Sequence, residues 1–177
     1  FGVYMGIESG NEHIRNTILE KNISDDQIRD AAKLLRKYGL KLKTFNMLCH
    51  PGETIENAFE TVKLNTEIRS NLPAACVAQF YPGLEYTNYA MVKGYLNKKH
   101  GVDDVDVDMR HSVLNQSNVK EIENLRKLFT ITVKFPFLKP LIRKLIKLPE
   151  NKISHLIANL TYGYYTMRFF NLGLRES

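Results

Sequence analysis

The sequence predicts an α/β fold with parallel strands, followed by a mainly helical tail. Three strand-length apolar runs lie at residues 3–8, 40–48 and 74–80. Helix-length runs with apolar residues every three to four positions separate them. A glycine-containing turn follows each strand: GIESG, CHPGET and YPG. Alternating strands and helices of this length build right-handed βαβ units, whose carboxyl-end loops gather on one face and form the ligand side of the sheet.

The first strand, VYMGIE, runs directly into Ser9-Gly10-Asn11-Glu12, where Ser9 and Glu12 have the spacing of a helix-opening capping box. Ser24 with Gln27 repeats that signal ahead of a helix whose apolar face is Ile28, Ala31, Ala32, Leu35 and Tyr38, and Gly39 is placed to end it. The second strand follows, then the CHPGET loop. The next helix has Ile55, Ala58, Phe59 and Val62 on one face and reaches about Ser70. After the third strand a shorter helical pattern covers residues 86–95. The organisation read from the sequence is strand–helix units over 1–95, an acidic polar linker over 96–117, and a basic, aromatic helical extension over 118–177.

Composition narrows the function classes. The 177 residues are 44% hydrophobic and 25% charged, which excludes a disordered chain. Residues 1–117 hold 14 Lys/Arg against 15 Asp/Glu, whereas 118–177 hold 11 against 4, so the net charge of +6 belongs to the tail. A basic tail on a neutral body points to a local contact surface rather than to nucleic acid. Two cysteines, Cys49 and Cys76, make neither a disulfide framework nor a four-cysteine metal site, and the chain reads as cytoplasmic. The longest uncharged stretch of the tail, residues 153–167, is too short and polar for an ordinary membrane span. No signal peptide is apparent, and the opening at Phe1, straight into a strand, reads as a piece of a longer protein. Asp104, Asp106 and Asp108 lack the glycine and the glutamate of a calcium loop, and the histidines have no ligand spacing, so no metal site is expected.

The ordered set GIESGNEHIRNTILEKNIS, NMLCHPGETIENAFET and QFYPGLEY resembles the C-terminal half of a radical S-adenosylmethionine domain over roughly residues 3–95. The nearest likeness is to the cobalamin-binding subgroup that includes the anaerobic magnesium-protoporphyrin IX monomethyl ester oxidative cyclases. The resemblance implies the C-terminal part of a partial (β/α)6 TIM-like barrel, holding about strands four to six. It also implies a parent enzyme with a 4Fe-4S cluster, S-adenosylmethionine and cobalamin. Such an enzyme performs radical C–H chemistry, cyclisation or methylation, on a tetrapyrrole-like or other hydrophobic small molecule. The cluster's CxxxCxxC motif and the cobalamin domain are absent from the sequence, so this segment alone is expected to be inactive.

By the same resemblance Glu8 accepts hydrogen bonds from the cofactor's ribose hydroxyls, or else only supports the adjacent helix start. Lys21 pairs with the methionyl carboxylate, or is an ordinary solvated lysine. Phe45, Met47 and Cys49 share one face by strand alternation. Met47, with Phe80 on the third strand, is then an apolar contact to adenine, plain core being the alternative for both. Phe45 stands where methylthiotransferases carry aspartate, which disfavours that branch, and Cys49 stands where the family has glycine. Cys49 and His50, as strand neighbours, point to opposite faces and form no nucleophile–base pair. Glu53 opens the next helix and braces the loop. A rival reading from another class is a non-catalytic module that binds a partner or membrane through its tail. The tail segment KFPFLKPLIRKLIKLP suits peripheral contact with anionic lipid, a helical cap over the barrel mouth or, as the plainer alternative, ordinary helices packing on the domain, and an open sheet edge suits self-association.

Overall fold

A computed structural model describes residues 1–149 and 152–172. Strand β1 (Gly2–Glu8) leads through a π-helical turn (Ile14–Ile18) to α1 (Asp25–Lys37); β2 (Lys41–Leu48) leads to α2 (Ile55–Glu67); β3 (Leu72–Val77) leads to α3 (Glu85–Val92). A loop carrying one 3₁₀ turn (Val102–Asp104) connects to the tail. There α4 (Val119–Lys127), α5 (Phe129–Lys134), α6 (Lys139–Leu145) and α7 (Lys152–Phe170) follow one another. The three strands are parallel and lie in the order β1-β2-β3, as the alternating pattern requires. The described residues form this open sheet and no closed barrel.

One face of the sheet packs on helices. Ile7 and Leu42 meet Ile28, Ala32, Leu64 and Ile68 of α1, α2 and the residue after it. Leu48 and Val77 meet Phe59 and Val62 of α2 with Ile122, Leu125 and Phe129 of the tail. The tail helices are thus a second helical layer over α2 and β3, not a detached appendage. On β2 the residues facing these helices, Leu42, Thr44, Asn46 and Leu48, are all buried. Two of them are polar, and their partners are also buried. The Thr44 hydroxyl donates to Asn65 Oδ1 at 2.6 Å and lies 2.9 Å from the Ser70 hydroxyl. Asn46 accepts from Asn65 Nδ2 at 2.7 Å and donates to the carbonyl of Ala74 at 2.8 Å. Every link is satisfied, so the network fixes the register of β2 against α2 and β3 at little desolvation cost.

The opposite face of the sheet is open. Phe45 is 42% exposed there and stands edge-on to Tyr4, with Lys43 Nζ 4.9 Å from the Phe45 ring centre. Phe169 of α7 lies against Tyr4, and Lys41 Nζ donates to the carbonyls of Arg168 and Phe169, so the end of α7 closes the amino ends of β1 and β2.

Several local expectations need correction. The Ser24–Gln27 capping box forms, and Gly39 adopts φ +67° just after α1, but Tyr38 is exposed rather than part of the apolar face. The Ser9–Glu12 box does not form. Ser9 Oγ accepts from the Asn11 amide, Asn11 Oδ1 accepts from the Ile14 amide, and the Glu12 carboxylate accepts from the Asp25 amide at 2.7 Å. Asparagine is as good a cap as serine and sits nearer the helical residues. α2 ends at Glu67, and α3 is shorter than its apolar pattern suggests. β3 spans Leu72–Val77 rather than 74–80, reaching back over Pro73, which an edge strand tolerates because no neighbour needs its missing N–H. The acidic segment 96–117 is organised around Asp106, whose carboxylate accepts from the amides of Arg110 and His111 and is held below its ordinary pKa by them.

Gly10 is where the chain leaving β1 passes against α2. Its amide donates to Thr61 Oγ1 at 2.8 Å, and a β-carbon there would stand 2.4 Å from Thr61 Cα and 2.5 Å from the Glu60 carbonyl oxygen. Both are backbone atoms that cannot step aside. Gly10→Ala is expected to lower folding stability by about 1–3 kcal/mol, read as a fall in the urea midpoint at unchanged slope.

Candidate functional site

The carboxyl ends of β1 and β2 finish in the same unusual way. Glu8 and Cys49 each adopt φ +66°, the left-handed conformation that non-glycine residues rarely enter. At β1 the strand also slips register, because Gly6 pairs with Phe45 while Glu8 pairs with Asn46. The Glu8 carboxylate consequently lies over the end of the sheet, where its Oε1 accepts from Lys21 Nζ at 2.8 Å. Lys21 Nζ also donates to the carbonyl of Gly6 at 2.7 Å. Both side chains are about a quarter exposed, 24% for Glu8 and 26% for Lys21. Gly6 makes room for the pair, since a β-carbon on it would meet Glu8 Oε1 at 2.5 Å. Among the described residues nothing hydrogen-bonds to Glu8 Oε2, which leaves one carboxylate oxygen for a ligand.

Lys21 reaches this position through Arg15. The guanidinium of Arg15 is fully buried and donates to the carbonyls of Ser9 and Ile23 and to Asp25 Oδ1 at 2.7–2.8 Å, with Glu12 at 3.4 Å. The carbonyl of Arg15 accepts from the Lys21 amide, and left-handed residues Glu20 and Asn22 flank Lys21 and curl the chain back over β1. Arg15 escaped the sequence reading. The available signal was an arginine directly after Ile14 in the helical stretch IRNTI.

The β2–α2 loop is a closed polar knot. Glu53 is buried, and its Oε2 accepts from the His50 amide at 3.0 Å while Oε1 has no partner among the described residues. Burial pushes its carboxyl up to about 8, so at neutral pH it is mostly protonated. The helix itself is capped by Thr54 with Asn57, so Glu53 braces the loop rather than opening α2. The His50 ring is also buried, with Nε2 3.1 Å from the Met47 carbonyl and Nδ1 2.8 Å from the Tyr86 hydroxyl. A carbonyl only accepts, so Nε2 carries the proton and Tyr86 donates to Nδ1. Burial lowers the His50 pKa to about 4, and the ring is neutral.

The remaining predicted residues divide. Met47 shares the open face with Phe45 and packs against the cluster of Ala78, Phe80, Ala90 and Leu96. Phe80 is completely buried and stacked on Tyr86 at 5.0 Å, behind the rim rather than on it. Cys49 does not share the Phe45 and Met47 face, because its left-handed backbone ends the alternation and turns it into the core beside Ala58, Phe59 and Ile122. Burial pushes the Cys49 thiol well up, and burial likewise raises that of Cys76. Neither is a thiolate at neutral pH. Among the described residues no group of three His, Cys, Asp or Glu side chains is placed to hold a metal ion.

No protein-family model matches the chain. It is 32% identical over 94 residues, 53% of its own length, to an uncharacterized methyltransferase of Pyrococcus horikoshii, covering 20% of that protein. It is 30% identical over 80 residues, 45% of its length, to an uncharacterized protein of Methanocaldococcus jannaschii, covering 16% of it. The chain therefore spans a fifth or less of the relatives it matches.

The raised Glu53 pKa makes folding favour the protonated acid. Its contribution is complete below about pH 4.5 and is lost as pH rises through about 8. Glu53→Gln, a permanently neutral isostere, is expected to remove a decline of about 3–5 kcal/mol that the natural protein shows between about pH 5 and pH 9. Urea unfolding across that range reads it. The His50 contribution runs the other way, being lost as pH falls from 6.5 towards about 4, and should persist in Glu53→Gln.

Proposed function

We propose that this chain is the part of an S-adenosylmethionine-dependent methyltransferase of the radical class that receives the cofactor at the carboxyl rim of β1 and β2. The observation that carries the reading is the Glu8–Lys21 pair. It presents a carboxylate with one uncommitted oxygen at the ligand end of a parallel sheet, on a strained residue held there by a slipped register. A carboxylate in that position suits the vicinal hydroxyls of a ribose, which donate two hydrogen bonds to one acceptor group. Lys21 holds Glu8 in place through the 2.8 Å ion pair. Two of its three donors are committed to Glu8 and Gly6, and the third is available to an anionic group such as the methionyl carboxylate. Met47 borders the rim as an apolar neighbour for the adenine, and Phe80 with Tyr86 backs it. The methyltransferase name of the Pyrococcus relative favours methyl transfer over oxidative cyclisation.

When bound, S-adenosylmethionine supplies the methyl group or, reductively cleaved, a radical that takes a hydrogen atom from the substrate. The residues present fit its ribose. They do not fit an iron–sulfur cluster, because there are only two cysteines, Cys49 buried beyond the end of β2 and Cys76 partly buried on β3, and burial raises the pKa of both thiols. In this reading the cluster ligands and any cobalamin site belong to residues outside the chain, and no role in that chemistry falls to the residues described.

Calorimetric titration of the full-length enzyme with S-adenosylmethionine tests the assignment. Glu8→Ala should weaken binding by about 1.5–3 kcal/mol, roughly tenfold to a hundredfold in Kd, with iron content and circular dichroism unchanged. Lys21→Ala should weaken it less, by leaving Glu8 unanchored. Unaltered affinity in Glu8→Ala returns Glu8 to the role of a strand-end residue.

A further inference from the structure

The tail helices leave an apolar surface uncovered. Along α6 and its flanking turns, Ile142 and Ile146 are buried in the core, while Phe137, Leu141, Leu145 and Leu148 point outward and are 74%, 51%, 37% and 50% exposed. Their spacing of three and four residues makes them one continuous stripe. Opposite Leu145 and Leu148 stands Ile157 of α7, across a cleft of about 190 Å³ floored by Leu128. Leu160 and Tyr164, three and seven residues beyond Ile157 on the same side of α7, extend the apolar surface and are 65% and 47% exposed. So many large apolar side chains in one surface mark a contact site rather than scattered exposure.

The charges on the segment that carries the stripe are of one sign, with Glu121 and Glu123 of α4 bordering its far edge beside Lys147 and Leu148. Residues 134–149 contain five Lys or Arg and no Asp or Glu. Arg143 is drawn inward, paired with Glu56 and packed on the Phe59 ring, but Lys144 and Lys147 make no ion pair among the described residues. They flank the stripe on flexible stems that reach past it into solvent. This arrangement is that of a helix lying in the plane of a membrane surface, with leucines in the acyl boundary and lysines extended to anionic headgroups. No helix of the described residues is long and apolar enough to cross a membrane. A second copy of this face would bring like charge against like.

We propose that the α6–α7 face is a docking surface for an anionic lipid bilayer, with Phe137, Leu141, Leu145 and Leu148 entering the acyl boundary and Lys144 and Lys147 contacting headgroup phosphates. The cleft between α6 and α7 lies at the same boundary and admits part of an acyl chain. The inference is independent of the cofactor assignment at the sheet rim.

Flotation of the full-length protein with vesicles tests it, comparing phosphatidylcholine containing phosphatidylglycerol with phosphatidylcholine alone. The expected result is flotation with the mixed vesicles, weakened by salt, and far less with the neutral ones. Leu141→Asp with Leu145→Asp should weaken partitioning at least about tenfold, because two large apolar groups no longer enter the boundary. Lys144→Glu with Lys147→Glu should weaken binding to mixed vesicles about tenfold or more and flatten its salt dependence, leaving the apolar stripe intact. All four positions are exposed, and unchanged circular dichroism confirms folding. No flotation, equal partition into neutral vesicles, or a dimer that the aspartate pair splits in light scattering would overturn the proposal.

Discussion

The buried guanidinium of Arg15 is the interaction on which the site depends. It takes a charge out of water entirely, which is tolerable only because four oxygens receive it. Those oxygens come from Ser9 just after β1, from Glu12 just before the π-helical turn, from Ile23 on the approach to α1 and from Asp25, its first residue. One side chain therefore joins four stretches of chain, beside the apolar contacts of Ile7, Ile23 and Ile28. The backbone of the same residue fixes Lys21, and Lys21 fixes Glu8. Placement of the carboxylate at the rim is thus set by a buried residue seven positions along the chain from it.

The fold was largely legible because period and capping chemistry agree. β2 alternates Leu42, Thr44, Asn46 and Leu48 inward against exposed Phe45, and Ser24 with Gln27 is a local signal that needs no tertiary contact. The failures share a physical cause: they occur where a non-local bond overrides a local one. Ser9 lost the helix start to Asn11 because Glu12 was needed at the Asp25 amide. Cys49 left its expected face because the loop beyond it folds around buried Glu53, and the left-handed turn follows from that closure. Neither event has a signature within a few residues.

The candidate site was legible in a different sense. Glu8 and Lys21 were singled out by resemblance, thirteen residues apart, and the structure brings them into one ion pair. Their contact could not be derived from spacing, since it requires the positive φ angles of Glu20 and Asn22 and the slipped register of β1. Phe80 illustrates the converse. A phenylalanine near a strand end has the same sequence signal whether it faces a cofactor or the core, and only the stacking of Tyr86 over it separates the two. Tyr86 and His50 likewise form a neutral, buried pair that gives the rim a rigid floor without placing a charge beneath it.

The slipped register of β1 has an evolutionary corollary. Because the strand skips a pairing position between Gly6 and Glu8, the carboxylate is anchored from its own side, by Lys21, and not by the in-and-out phase of the residues before it. A regular strand would couple the two rigidly, and a single inserted or deleted residue upstream would turn the acid to the wrong face. The bulge acts as a clutch. A change at Tyr4, on the open face, need not move the acid, whereas Gly2 against Phe169 and Met5 on the core are held by their own packing. The open face of the sheet can therefore be altered without rebuilding the Glu8–Lys21 pair at its rim.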